Sequence, residues 1–211
     1  MLPLRDRLTM LLPPALFYRT RIAQEARTGE PELAILAKLL LRGGTAIDVG
    51  ANQGMFAYAL SRIVDRVVAF EPHPDYAAFA RRMLRGRAEV REVALADRAG
   101  RATFTVPLSD DGIALHLAGS LNAAAHSQFR NKQTYDVEVR TLDAFDFTDV
   151  RFINADVEGS EREVLTGARD DLAVAADHPA RAAFRHAPRS RGRDGGRLRE
   201  LRLWRRFDAA R

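Results

Sequence analysis

Cysteine is absent from this chain of 211 residues. Disulfide frameworks, thiolate nucleophiles and zinc sites built on cysteine are therefore excluded. The five histidines are scattered and form no HExxH or similar ligand pair, so we expect no metal. The motifs of a phosphate-binding GK[ST] loop, a G-x-S-x-G esterase elbow and a Tyr-x-x-x-Lys dehydrogenase pair are also missing.

Long hydrophobic runs are missing as well. The longest uncharged apolar stretch near the start, Leu8 to Tyr18, is too short to span a bilayer and is interrupted by Pro13 and Pro14. It carries no small-residue cleavage site of the kind that ends a secretory signal. We therefore expect a cytoplasmic protein without a transmembrane segment. With 46% hydrophobic and 29% charged residues, the chain has enough apolar material for a globular core.

Lysine is scarce, and the positive charge is unevenly distributed. Residues 1–171 contain 22 Lys+Arg and 24 Asp+Glu, a net charge of −2, whereas residues 172–211 contain 11 Arg and 4 acids, a net charge of +7. The high isoelectric point therefore belongs to the last forty residues. Nucleic acid is not an expected partner of the main body of the chain.

Strand and helix patterns alternate along that main body. Residues 1–30 form a mixed apolar and arginine-rich lead-in. Contact with a membrane surface is one interpretation of it, and a helix packed on the domain is the commoner outcome of the two. Buried-type strands are predicted at 45–50, 66–71, 90–95 and 151–157, and helices at 32–42, 54–63, 74–85 and 160–168. The short connections indicate an α/β fold with a parallel sheet and right-handed crossovers.

The pattern changes after Asp97. Residues 100–106 and 136–142 alternate between apolar and polar side chains, as exposed or edge strands do. Residues 108–133 between them are irregular, which is typical of a functional lid or a mobile loop that shapes a pocket.

Ligands of an open parallel sheet bind beyond the carboxyl ends of its strands. The first predicted strand runs into the sequence DVGANQG, which begins at Asp48, and the second ends in Glu71. Glu71 lies 21 residues after Gly50 and suits hydrogen bonds from two ribose hydroxyls. The G-x-x-x-G spacing differs from the dinucleotide fingerprint, and Asp48 favours a cationic ligand over a diphosphate. S-adenosylmethionine is a nucleoside with such a cation, while an NAD-dependent reductase would require a dinucleotide to tolerate Asp48.

Five motifs in this order resemble the FkbM-type methyltransferases: AIDVGANQG, AFEPHP, VALAD followed by GRATF, VRTLDAF, and INADVEGSEREVLTGA. The resemblance extends from about Glu32 to Ala168. It implies a class I, S-adenosylmethionine-dependent O-methyltransferase with a doubly wound, mostly parallel, Rossmann-like sheet. Its acceptor would be a hydroxyl on a small molecule or a glycan, such as a macrolide, a sugar or another secondary metabolite.

The resemblance also implies roles for individual residues. The loop around the methionine end of the cofactor matches Asp48, Gly50, Asn52 and Gly54. The acid that binds its ribose matches Glu71, and the segment beside its adenine matches Ala94 to Asp97. An acidic element near the transferred methyl matches Asp156, Glu158 and Glu161. The chain departs from many relatives at Asn154 and Ala155, where they carry lysine and an aliphatic residue.

The expected chemistry is mainly alignment of an acceptor oxygen with an activated methyl group. A general base helps only where the hydroxyl is poorly acidic. The candidates for it are Asp156 and Glu158, followed by His116 and His126 in the irregular segment.

Simpler interpretations remain beside these roles. The loop that begins at Asp48 could be a tight strand-to-helix turn without a ligand, and Glu71 could be a solvated acid at a strand end. The acids from Asp156 to Glu161 could be helix N-terminal acids favoured by the helix dipole.

Residues 172–211 do not continue the pattern. A class I sheet needs three more strands after residue 168, and this stretch offers none of convincing length. One interpretation is a basic arm on a non-catalytic remnant or binding protein that contacts nucleic acid or membrane. The other is an out-of-frame C terminus, because 31 Arg against 2 Lys indicates a GC-rich gene, whose wrong frame yields arginine and alanine. The chain is thus divided into a lead-in (1–30), a methyltransferase-like domain (31–171) and a tail (172–211).

Overall fold

A computed structural model describes residues 11–28, 33, 36–37, 40, 42–109, 112, 114–115, 119–122, 126–127, 129–169, 183–184 and 202–203. Its α-helices are α1 (Pro14–Thr28), α2 (Met55–Leu60), α3 (Pro74–Met83) and α4 (Glu161–Thr166), with a 3₁₀ turn at Asp143–Phe145. Its strands are β1 (Thr45–Val49), β2 (Arg66–Phe70), β3 (Glu89–Arg91), β4 (Ala94–Leu95), β5 (Gly100–Pro107), β6 (Lys132–Arg140), β7 (Val150–Ala155), β8 (Ala183–Phe184) and β9 (Arg202–Leu203).

The main sheet has the strand order β3-β2-β1-β7-β8-β9. All of its neighbouring pairs are parallel except β8 and β9, which are antiparallel. The fold is therefore mixed α/β with a mostly parallel sheet, as predicted. The strand order reverses between β1 and β7, and such a reversal opens a crevice at the carboxyl edge of the sheet.

Strands β1, β2 and β7 are buried on both faces of this sheet, which explains why they read as continuous apolar runs. All five residues of β1 are buried. Ala46 packs into one apolar cluster, together with residues of α1, α2 and α3, while Ile47 and Val49 pack into a second cluster on the opposite face, which includes Val164 of α4. Full burial of side chains such as Ile47 stabilises the fold by about 1.5–3 kcal/mol each.

The prediction of one continuous strand over 90–95 was wrong. The chain leaves the main sheet after Arg91, and Ala94 and Leu95 pair instead with Val139 and Arg140 in a second sheet of order β4-β6-β5. Val93, Ala94 and Leu95 are all buried at this junction, so their apolar character reflects packing between the two sheets. Strand β5 extends the predicted strand 100–106 by one residue, whereas β6 runs from Lys132 to Arg140 where the sequence predicted a strand over 136–142. The two strands pair antiparallel from Gly100 to Pro107.

The lead-in contributes a helix to the core. Helix α1 buries Phe17 and Tyr18, and the Tyr18 ring stacks on that of Tyr58 with 4.4 Å between the centroids. Of the predicted helix 32–42, the structure describes 33, 36, 37, 40 and 42, and its leucines at 33, 36 and 40 are buried in the same cluster; the rest of that prediction lies outside the described residues.

The predictions of α2, α3 and α4 were right in position but too long. Each of these helices begins or ends one to three residues inside its predicted bounds. In the tail, the structure describes only β8 and β9, two residues each, so the interpretations of 172–211 lie otherwise outside the described residues. In the described ranges, no helix is both long and apolar enough to cross a membrane.

Candidate cofactor site

A cavity of about 960 Å³ lies at the carboxyl ends of β1, β2 and β7. This volume is at the upper end of what small-molecule sites enclose. Most of the predicted site residues line it: Asp48, Gly50, Asn52, Glu71, Ala94, Asp156 and Glu158. Gly54 lies behind the loop, and Asp97 is exposed and forms an ion pair of 3.5 Å with Arg98.

The loop after β1 is fastened to both neighbouring strands. The backbone N–H groups of Gly50 and Ala51 donate to the carbonyl of Phe70, at 2.9 and 3.0 Å. The N–H of Asp156 donates in turn to the carbonyl of Val49 at 3.0 Å. Gly50 has φ +79°, and a Cβ atom there would lie 2.1 Å from the backbone oxygen of Asp156. Only glycine fits this close approach of two strand ends.

Gly54 serves the packing behind the loop. Its φ is +80°, and a Cβ atom would lie 2.7 Å from Leu84 Cδ1 and 3.1 Å from the Tyr18 hydroxyl. That hydroxyl donates a hydrogen bond of 2.8 Å to the carbonyl of Gln53. Helix α1 therefore holds the loop from outside, and Gly54 makes room for it.

Glu71 is buried at the end of β2 and binds the same loop. One carboxylate oxygen accepts a hydrogen bond of 2.6 Å from the N–H of Asn52, and the other accepts one of 2.8 Å from the N–H of His73. Burial nevertheless raises the pKa of Glu71 to about 7, outweighing the two hydrogen bonds that lower it, and nearby Asp48 raises it further. An ionised carboxylate has about four acceptor positions, so these two bonds leave acceptor capacity toward the cavity.

Asp48 is buried at the end of β1, and its Oδ1 accepts a hydrogen bond of 2.8 Å from Asn154 Nδ2. An amide at this position satisfies one oxygen without neutralising the charge. Because a buried carboxylate is costly unless a positive charge lies nearby, Asp48 favours a cation in this part of the cavity.

Asp156 and Glu158 follow β7 in a strained turn. Glu158 has φ +50° and Gly159 has φ +103°. The turn is held by Ser120, whose hydroxyl donates to the carbonyl of Glu158 at 2.9 Å and accepts from the N–H of Asn122 at 3.0 Å. Glu161, the first residue of α4, accepts a hydrogen bond of 3.0 Å from the N–H of Gly159. It does not line the cavity.

The cavity has two unlike walls. The strand-end wall consists of residues 48–52, Glu71, Asn154, Asp156 and Glu158. The apolar wall, which comes from α3, the second sheet and the segment after β5, consists of Tyr76, Val93, Leu95, Phe104, Leu115, Leu121 and Phe129.

Sequence reasoning missed several of the residues around the cavity. Tyr76 packs against the ring of His73, with 5.1 Å between the centroids, and its helical spacing indicated only a core position. Ser120 lies in a segment without any period, so no sequence signal distinguished it. Of the two secondary histidine candidates, His116 lies outside the described residues. His126 is buried and does not line the cavity, and burial lowers its pKa.

Among the residues that the structure describes, no group of three or more His, Asp and Glu side chains is arranged to hold a metal ion.

Comparison with known proteins gives a family match over more than half of the chain. Residues 48–180 match the model of the methyltransferase FkbM domain. No curated protein sequence matches the chain.

Solved structures also align with the chain. The methyltransferase FkbM from Methylobacillus flagellatus KT is 20% identical, with a TM-score of 0.45, over 68% of this chain and 32% of that one. A TehB-like SAM-dependent methyltransferase from Corynebacterium glutamicum is 16% identical, with a TM-score of 0.42, over 83% of this chain and 74% of that one. A Streptococcus mutans protein in complex with SAH is 14% identical, with a TM-score of 0.41, over 74% and 69%. The chain thus spans about a third of the first of these structures.

Proposed function

The chain belongs to the methyltransferase FkbM domain family, and on that premise we propose that it is an S-adenosylmethionine-dependent O-methyltransferase. The acceptor we propose is a hydroxyl on a small molecule or a glycan. The observation that carries the proposal is the strand-end wall, where Asp48, Glu71 and Asp156 from three neighbouring strands line one cavity.

The donor groups of this wall suit the cofactor. Glu71 retains acceptor capacity toward the cavity and suits a ribose diol, and Asp48 suits the positive end of the molecule. The glycine at position 50 lets the loop backbone approach a ligand closely. Ala94 is buried on β4 and suits backbone contacts with an adenine. Gly54 supports the loop from behind, and Asp97, which is exposed outside the cavity, is left without a proposed role.

When bound, S-adenosylmethionine supplies a methyl group that is already activated on a sulfonium. The protein then has to hold the acceptor oxygen in line and exclude water. Asp156 and Glu158, both half-buried at the end of β7, are the carboxylates we propose for taking the proton of the acceptor hydroxyl. Ser120 fixes the backbone of Glu158 and so positions this turn.

The apolar wall is the part of the cavity that we propose for the acceptor. It extends the cavity over the second sheet with aromatic and aliphatic side chains such as Phe104, Leu121 and Phe129. Such a surface suits the apolar part of an acceptor molecule, while the carboxylates proposed to take its proton belong to the strand-end wall.

Calorimetric titration tests the proposal without knowledge of the acceptor. The purified chain is titrated separately with S-adenosylhomocysteine, with NAD⁺ and with a single-stranded RNA at two salt concentrations. Binding of S-adenosylhomocysteine alone supports the proposal. Binding of NAD⁺ would favour a reductase, and steeply salt-dependent RNA binding without S-adenosylhomocysteine binding would favour a remnant with a basic tail.

A further inference from the structure

The cavity lining is strongly acidic. It contains Glu25, Asp48, Glu71, Asp156 and Glu158, whereas Arg21 is its single Lys or Arg among the described residues. A ligand with both positive and negative groups needs a partner for its negative end. Arg21 is the cation that this lining offers.

Arg21 lies beside the loop that follows β1. Tyr18, Arg21 and Glu25 stand at positions i, i+3 and i+7 of α1 and therefore share one face of the helix. Tyr18 on this face donates its hydrogen bond to Gln53, so the face is held against the loop. Arg21, one turn further along, lines the cavity together with Gln53 and Met55.

The guanidinium of Arg21 is only partly engaged. Its Nη2 lies 3.5 Å from Glu25 Oε1, a pair with about a quarter of each side chain exposed. Its Nε is buried and has no hydrogen-bond partner in the described part of the chain. A guanidinium that keeps unused N–H donors is suited to recognition of a carboxylate.

We propose that Arg21 binds the carboxylate of the methionyl group of S-adenosylmethionine. This inference rests on the proposed function and extends it to a residue of the lead-in, outside the segment that matches the family model. The cofactor is then bound between two elements: Asp48 and Glu71 at the strand-end wall, and Arg21 on α1.

A ligand pair that differs only by this carboxylate provides the test. S-adenosylmethionine and its decarboxylated form are titrated into the wild-type chain and an Arg21→Gln variant. Because a charge-assisted hydrogen bond contributes about 1.5–3 kcal/mol, we expect Arg21→Gln to weaken S-adenosylmethionine binding about 10- to 100-fold. The affinity for the decarboxylated form should stay within about twofold, because that ligand has no carboxylate for Arg21 to bind.

Two further variants control for charge and folding. Arg19→Gln removes the same charge from an exposed position of α1 and should leave both affinities unchanged. Arg21→Lys keeps the charge and should restore part of the affinity for S-adenosylmethionine, even if Arg21→Gln lowers the melting temperature. Equal weakening of both ligands by Arg21→Gln, or no weakening of either, would overturn the inference. Failure of the wild-type chain to bind either ligand would instead contradict the proposed function.

Discussion

The two walls of the cavity differ in the side chains they present. The strand-end wall presents carboxylates, on a backbone in which Gly50 and Ala51 bond to Phe70 and Asp156 bonds to Val49. The apolar wall presents aromatic and aliphatic side chains, although backbone hydrogen bonds hold it too, as between Leu115 and Pro107. Ser120, in the segment after β5, links the two walls through its hydroxyl, which donates to the carbonyl of Glu158. On the proposed function, the acidic wall binds the cofactor and the apolar wall contacts the acceptor, so substitutions in the two walls should affect different ligands.

The largest expected effect is on the strand-end wall itself. Gly50→Ala places a methyl group against the backbone oxygen of Asp156 at a left-handed position. We expect the free energy of unfolding, measured by urea denaturation, to fall by about 3 kcal/mol or more, from backbone strain plus overpacking.

Gly86→Ala is the matched control for that variant. Gly86 has φ +74°, close to that of Gly50, but nothing lies within 4 Å of its added Cβ. Only backbone strain remains, so the loss should be about 1–2 kcal/mol. Equal losses in the two variants would contradict a tight junction of β1 and β7.

The next effect is on ligand binding. Glu71→Ala removes the carboxylate proposed for the ribose, and we expect the affinity for S-adenosylhomocysteine to fall about 10- to 100-fold. Glu89→Ala, which removes an exposed carboxylate from the neighbouring strand β3, should leave the affinity unchanged. Calorimetric titration measures both, and a Glu71→Ala variant that binds like the wild type would remove Glu71 from the site.

The pH dependence of binding follows from the raised pKa of Glu71. Ribose hydroxyls donate to the ionised carboxylate, so the affinity is retained above the pKa and lost as the pH falls through it. With a pKa of about 7, we expect an approximately tenfold lower affinity at pH 6 than at pH 8. This dependence should be absent from Glu71→Gln, and its persistence there would assign it to another group.

The smallest effect should come from the link between the walls. Ser120→Ala removes the hydroxyl that binds Glu158, and the unfolding free energy should fall by about 1 kcal/mol. Binding of S-adenosylhomocysteine should change less than twofold, because the strand-end wall keeps its own backbone bonds. A loss as large as that of Glu71→Ala would mean that the two walls bind the cofactor together.

The sequence predicted the residues of the strand-end wall better than those of the apolar wall. Asp48, Glu71 and Asp156 could be placed together because the carboxyl ends of parallel strands meet at one edge. Gly50 could be identified because only glycine tolerates the required conformation and approach.

The residues that were missed depend on tertiary contacts. The positions of Ser120 and Arg21 at the cavity depend on how their segments pack in the fold. An isolated serine or arginine has no local sequence pattern that shows this. The break after Arg91 was missed for a related reason, since an apolar run predicts burial but not which of two sheets buries it.

The most direct test of the account is a crystal structure of the chain with S-adenosylhomocysteine. We predict that both ribose hydroxyls lie within hydrogen-bond distance of the Glu71 carboxylate, with the homocysteine end beside Asp48 and Gly50. A ligand that contacts only the apolar wall, with Glu71 bound to Asn52 and His73 alone, would contradict the account.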